Sequence, residues 1–227
     1  MRKTAILIIF VFTFMISILF MGGCITSKPS KFYLLTPASY NTGKNAVDAK
    51  NVIRDTKNLT VGLGPVSIAK YLDRSQLVVR LTPNQIRLED FHLWAGSPRD
   101  DIPAILLENL SSLLGIDTIY KYPWQSYADI DYQIVVEIIQ LDGRPYDNVR
   151  LVARWEILKG NSKSNSKGGV VKSGKTDLTE PVLVSGTESE SGLGAVSANP
   201  FDSFAAAQSR AIGQLSVIIA KALMELL

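Results

Sequence analysis

The sequence predicts a single α+β domain: an antiparallel or mixed sheet of about six to eight strands with two main helices packed on it. Three observations predict it. Residues 132–139 and 149–157 alternate apolar and polar side chains with the two-residue period of a strand. Stretches near 98–114 and 200–226 repeat apolar residues at helical spacing instead. A half-wet sheet and an amphipathic helix each need a covering layer, and one domain of both supplies it.

The chain begins with a basic head, Met1-Arg2-Lys3, followed by an uncharged run from residue 4 to 21 rich in Ile, Leu, Phe, Val and Met. The run closes on Met21-Gly22-Gly23-Cys24, which holds the only cysteine. A basic head, an apolar stretch and small residues before a cut describe an export signal. The stretch is also about long enough to span a bilayer, so a retained anchor is the competing reading. Cys24 decides between them. A lone cysteine forms no internal disulfide, and a free thiol in an exported protein invites unwanted pairing. The arrangement resembles the lipoprotein signal of bacteria, although Met21 stands where leucine is usual. That resemblance implies a signal peptide over 1–23 and acylation of Cys24. Ile25, where an aspartate would retain the protein at the inner membrane, implies sorting to the outer membrane.

Removing the signal leaves about 200 residues, enough for one substantial core or at most two small domains. Of the net charge of +3, Arg2 and Lys3 carry two, so the mature part is nearly neutral and gives no case for nucleic-acid binding. Export also excludes a cytoplasmic, ATP-driven enzyme.

Lys31-Phe32-Tyr33-Leu34-Leu35-Thr36-Pro37 predicts a brief strand stopped by proline. Residues 38–58 are polar and poor in aromatics, so 24–58 is expected to be a lipidated N-terminus with a short strand and linker, before a periplasmic domain over 59–227. Residues 59–66 alternate like a strand, and Gly62 and Gly64 suggest a bend or a close backbone approach. A connector over 68–74 leads to a strand at 76–81, a turn at Thr82-Pro83-Asn84, and a partner strand over 85–94. Ser97, Pro98, Asp100 and Asp101 mark a helix start, and Gly115 its end, with Pro103 leaving the exact start one turn open. Ile102, Leu106, Asn109, Leu110 and Leu113 form its apolar stripe. A short strand near 118–122 and a Pro123-Trp124 corner precede a long hairpin, 132–139 and 149–157, turned at 142–145. The Lys-, Asn-, Ser- and Gly-rich stretch 159–169 cannot build a core. A third long strand is predicted over 170–184, then a polar loop to 199. Asn199-Pro200 opens the last helix, whose stripe is Phe204, Ala207, Ala211, Leu215, Ile218 and Ala222.

No catalytic constellation emerges. His92 is the only histidine, which removes a multi-histidine metal site and leaves a triad without a Gly-x-Ser-x-Gly elbow. Asp129 and Asp131 could pair as carboxylates, but aspartates before a strand commonly bond the turn. Gly62-x-Gly64 lacks the third glycine and the helix of a dinucleotide site. Trp94 and Trp124 lie in corners, where a tryptophan serves either packing or a protein interface. No cofactor is expected.

An ordered set of landmarks resembles one family. After Cys24 come Phe32-Tyr33-Leu34-Leu35, then Val61-Gly62-Leu63-Gly64-Pro65-Val66-x-Ile68 and Tyr71-Leu72-Asp73-Arg74-x-Gln76-Leu77-Val78-x-Arg80. Asn84, Phe91-x-x-Trp94, Leu107-Glu108-Asn109-Leu110, Tyr122-Pro123-Trp124, Asp131-Tyr132 and Ala153-Arg154-Trp155 follow, and Ser209-Arg210-Ala211-Ile212-x-x-Leu215-Ser216-x-x-Ile219-Ala220 closes the set. They are similar to the PqiC-like (YmbA-like) lipoproteins, auxiliary components of MCE-type ABC transport systems. Gly96-Ser97-Pro98 and the serine-rich stretch 161–167 depart from the usual pattern. The resemblance implies a non-enzymatic lipoprotein on the periplasmic side of the outer membrane. Its expected partners are an MCE-domain protein, outer-membrane lipid through Cys24, and other copies of itself as a homo-oligomer or ring. Its expected cargo is phospholipid or another hydrophobic molecule. It also points to Tyr71, Asp73 and Arg74 as a partner surface, with Trp94 and Trp124 shaping it. A pilotin-like assembly lipoprotein, or an envelope hydrolase using His92 or the Asp129/Asp131 pair, are the alternatives.

Overall fold

The computed structural model describes residues 28–38, 59–116, 119–124, 129–160, 169–183 and 199–227. The expected signal peptide, Cys24, the linker and most of the two polar loops lie outside these residues. Eight strands form one sheet: β1 (Lys31–Tyr33), β2 (Val61–Ile68), β3 (Gln76–Thr82), β4 (Gln85–Trp94), β5 (Ile119–Lys121), β6 (Tyr132–Gly143), β7 (Asn148–Lys159) and β8 (Val170–Pro181). Two helices, α1 (Pro98–Leu114) and α2 (Pro200–Met224), pack on it and on each other. No helix among the described residues is long and apolar enough to cross a membrane.

The long strand β6 organises the sheet. On one side it pairs antiparallel with β7, which pairs antiparallel with β8. On the other side β2 runs parallel to its first half, from Val61 opposite Tyr132 to Ile68 opposite Ile138. The chain leaves β2, turns through 69–75, and re-enters as β3, which meets β6 again at Val79 and Gly143. β4 pairs antiparallel with β3, and β1 runs parallel to β4 at the margin. β5 pairs parallel with the start of β2. The sheet is therefore mixed, and β1 and β8 stand at opposite margins.

Alternation sets the core. Ile134 opposes Ile157, Val136 opposes Trp155, and Ile138 opposes Ala153, all buried. A register shift between Ile138 and Gln140 then moves the inward face to Leu141, which opposes Leu151. The other face stays wet and carries ion pairs, Arg154 with Glu137 and Arg150 with Asp177. The expected turn at 142–145 comes slightly later: β6 continues to Gly143 because Asp142 is tied into the sheet, and Arg144 begins the turn, its N–H bonding the Asn148 carbonyl.

α2 lies on β7 and β8 with a wide buried stripe that includes Phe204, Ala207, Ala211, Leu215 and Ile219. Its small residues let the helix axis approach the sheet closely. Ile218, expected on this stripe, is 37% exposed, and Ile219 takes the inward position. The helix opens as expected: the Asn199 side chain accepts from the Phe201 N–H at 3.1 Å.

α1 starts at Pro98 and runs through Pro103, so the first turn forms despite the proline that follows it. Pro98, Ile102 and Pro103 are buried there, and Pro98 and Ile102 line a small cleft with Trp94. Ser97 occupies the cap position, but its side chain makes no capping bond; its carbonyl receives the N–H groups of Asp100 and Asp101. Leu114 rather than Leu113 is the buried residue at the helix end, where Gly115 adopts φ 64°.

Candidate functional site

The expected partner surface begins at the turn between β2 and β3. Its two neighbouring residues Tyr71 and Leu72 point in different directions. Leu72 is buried, lining a small cleft with Leu35, Val78, Trp94, Pro98, Ile102, Leu141 and Gln208. Tyr71 sends its hydroxyl to Asp142, donating to Oδ2 at 2.6 Å.

Asp142 is fully buried and fully occupied. Arg80 grips both of its oxygens, Nε at 2.6 Å from Oδ1 and Nη2 at 2.7 Å from Oδ2, and Gln140 donates to Oδ1 at 2.9 Å. Arg80 also donates to the Pro83 carbonyl, which closes the next turn. The cluster stands 9 residues from Tyr71 to Arg80 and 62 from Arg80 to Asp142, so it joins the turn after β2 to the ends of β3 and β6. Desolvation, aided by the Asp142 carboxylate, pushes the Tyr71 hydroxyl well above its ordinary pKa of 10.0. The hydrogen bond to Asp142 likewise raises the Arg80 guanidinium. This tyrosine is a fixed donor and does not titrate near neutrality.

Asp73 does not pair with its neighbour Arg74. It binds Arg99 in the first turn of α1, with Nε at 2.8 Å and Nη2 closer still. Arg74 instead folds its Nε onto the Tyr71 carbonyl at 2.6 Å, tightening the turn from within. The 69–75 turn is thus pinned to the sheet by Tyr71, to the core by Leu72 and to α1 by Asp73. Only partly buried, Asp73 and Arg74 form its outer edge.

Trp94 is 8% exposed and belongs to the core, with its backbone N–H on the Ser75 carbonyl at 2.6 Å beneath this turn. Tyr71, Asp73, Arg74 and Trp94 therefore come together. Trp124 does not join them. It lies at the start of β2, against Gly62 and Ile130, seven strand positions or about 23 Å from the 69–75 turn. Its neighbour Tyr122 is half exposed and meets it edge to face, 5.4 Å between centroids.

Of the residues considered for chemistry, His92 and Asp131 have structural partners. His92 stacks on Phe201 at 3.7 Å, and its Nδ1 lies 2.7 Å from the Tyr33 hydroxyl. Asp131 accepts the Thr60 N–H at 2.9 Å, the turn-bonding role its position predicts. Asp129 is exposed. Among the described residues no group of three His, Cys, Asp or Glu side chains could hold a metal ion.

Residues that sequence reasoning left as mere landmarks prove to bind the N-terminal segment to the domain. Asn109, fully buried in α1, accepts the Ala38 N–H at 2.9 Å and donates to Ser216 of α2 at 3.2 Å. Ser209 of α2 accepts the Thr36 N–H at 3.1 Å. Arg210 reaches across to Glu180 and the Pro181 carbonyl at the end of β8. A polar residue inside an apolar helical stripe, as at Asn109, was the available signal.

The crystal structure of an uncharacterized protein matches the fold with TM-score 0.59 and 15% identity, over 86% of this chain and 99% of that one. Protein XCC0632 from Xanthomonas campestris matches with TM-score 0.56 and 15% identity, over 83% and 92% of the two chains. At such identities the likeness shows the fold alone. A looser likeness, TM-score 0.35 at 14% identity over 69% and 84%, is to the PelC dodecamer from Paraburkholderia phytofirmans. No curated protein matches the chain significantly. The model of the family described as the ABC-type transport auxiliary lipoprotein component matches residues 43–220. The chain belongs to that family: it is a non-enzymatic auxiliary lipoprotein of ABC-type transport, working at the periplasmic face of the outer membrane.

Proposed function

We propose that the chain is cleaved before Cys24, acylated there, and docks the MCE-domain protein of its ABC transport system from the outer membrane. It thereby assists the passage of phospholipid or another hydrophobic molecule, as one copy or as a homo-oligomeric ring. The observation that carries this reading is family membership over most of the chain, in a sequence whose lone cysteine closes an apolar N-terminal run. Two or more acyl chains at Cys24 would hold the domain firmly, since each buried methylene contributes about 0.8 kcal/mol.

In this reading Asp73 and Arg74 present the docking edge, and Tyr71 and Trp94 hold it rigid from beneath. Pinning on three sides supports the assignment, because a turn already ordered in the free protein costs little further entropy on binding. Trp124, with Tyr122, would make a separate contact at the other end of β2. The cleft beside Trp94 measures about 20 Å³, room for a water or two and not for an acyl chain.

Crosslinking in intact cells, followed by purification and mass spectrometry, tests the proposal beside a Cys24→Ala form. Recovery of an MCE-domain protein by the anchored form, and poor recovery by Cys24→Ala, is the expected result. Recovery of a secretin instead, or of no partner while lipid or wall turnover changes, would overturn it.

A further inference from the structure

The outer face of the β1 margin is apolar and uncovered among the described residues. Phe32 is 64% exposed, Leu34 63% and Phe91 40%. The register places Phe32 beside Leu93, and the two-residue period puts both on the side opposite Tyr33 and Trp94, which are buried. Phe91 directly precedes His92, the partner of Lys31, and is exposed where β4 shifts register against β3 beside this margin. Three large apolar side chains at one sheet margin are more than scattered surface residues, and such a patch marks a contact.

What covers it is set by where it sits on the chain. Phe32 lies eight residues after Cys24, so even a fully extended tether reaches at most about 28 Å. Unlike an ordinary linker-borne domain, this one is fastened at once: β1 pairs with β4, and Thr36 and Ala38 are bonded to Ser209 and Asn109. The exposed face is thus the part of the folded domain closest in sequence to the anchor. Lys28 and Lys31 are exposed on the intervening segment, as suits an anionic headgroup layer. Arg87 neutralises Glu89 farther along β4, and Asp90 is exposed at the border of the patch.

We infer that the face formed by Phe32, Leu34 and Phe91 seats in the headgroup region of the phospholipid leaflet that holds Cys24, fixing the orientation of the domain on the membrane. The geometry is that of a shallow apolar face with flanking lysines, which enters the boundary between headgroups and acyl chains without spanning it. The inference rests on acylation of Cys24, and it adds a second, non-covalent contact with the same leaflet.

The test uses the full acylated protein in vesicles of phosphatidylethanolamine and phosphatidylglycerol. An environment-sensitive fluorophore is attached at Leu34→Cys or Phe91→Cys, and at Tyr146→Cys or Val171→Cys as controls. Tyr146 is 77% exposed at the β6–β7 turn, and Val171 lies on the opposite margin of the sheet. All four side chains are exposed, and unchanged melting temperatures would verify the fold of each variant. Spin-labelled lipid should quench the probes at 34 and 91 at least about threefold more than those at 146 and 171. Equal quenching at all four overturns the inference. So does shielding at 34 and 91 that vanishes when the protein is diluted in the membrane, which would assign the face to a second copy. Shielding that appears only on adding the MCE-domain partner would overturn it too. Labelling of the unsubstituted protein would reveal a free Cys24 thiol and would fell the anchor and the inference together; an unlabelled parent with equal quenching fells the inference alone.

Discussion

Arg80 holds both oxygens of Asp142, at 2.6 and 2.7 Å, in a place where the carboxylate has no access to water. A bidentate pair of this kind is directional, and here it fixes where β3 meets the end of β6. Replacing Arg80 with Met would leave a buried charge with only Tyr71 and Gln140 as donors. The expected loss is about 3 kcal/mol, because breaking one side of a buried pair strands the other. Asp142→Asn, which keeps the shape and removes the charge, should cost less. Urea unfolding of the two variants measures the difference; equal costs would show that charge, not shape, carries the cluster.

Gly62 is required by a close approach. A Cβ at this position would lie 2.9 Å from Cζ3 of Trp124 and 3.2 Å from Cγ2 of Ile130. Gly62→Ala should therefore push the indole outward and cost about 1–3 kcal/mol. Tryptophan emission should shift to the red as the ring gains water. In a Trp124→Ala background the same substitution should cost distinctly less, and a double-mutant cycle reads that coupling. An additive cycle would mean that the backbone, not the ring, resists the methyl group.

These two sites also explain what was legible in the sequence. The strands β6 and β7 and helix α2 could be read because burial on one face imposes a period, and the period survives in single residues such as Ile134, Ala153 and Phe204. The close approach at Gly62 could be suspected from the glycine, though not that Trp124 was the ring that needed it. The pairing of Asp73 could not be read. Its adjacent Arg74 is the local choice, and Arg99 becomes the partner only because the turn of β2 into β3 lies against the start of α1. Likewise nothing in the spacing of Arg80 and Asp142 announces a pair, since a parallel strand end brings them together. Ile218 and Ile219 show the limit of periodicity: both fit a helical stripe, and the angle at which the helix meets the sheet selects between them.

His92 should give the fold a modest acid sensitivity. Burial, the largest cause, holds its pKa below the ordinary 6.5, and the Tyr33 hydroxyl beside Nδ1 suits the neutral ring. The unfolded chain then takes up a proton near pH 6.5 while the folded protein still resists it. The histidine's contribution to stability is thus present above 6.5 and is lost as pH falls from there through the folded-state value. His92→Gln should flatten the dependence of melting temperature on pH between about 7 and 5. An unchanged slope would assign the acid sensitivity to carboxylates instead.

Asp73 and Arg99 offer a way to separate docking from folding. Their bond lies at the surface, with side chains 26% and 65% exposed, so solvent screens most of its energy. Asp73→Asn and Arg99→Gln should each leave stability nearly unchanged. The pair nevertheless sets the position of the turn against α1, and the turn carries Arg74. If this edge receives the MCE-domain partner, both substitutions should weaken its capture several-fold while leaving the melting temperature nearly unchanged. Arg74→Glu, which reverses the charge at the edge, should abolish capture more fully than either. Titration of the purified partner onto membrane-anchored variants measures this order. Equal affinity across the parent and all three variants would move the docking surface away from the turn, and Tyr122 with Trp124 at the far end of β2 would be the next residues to replace.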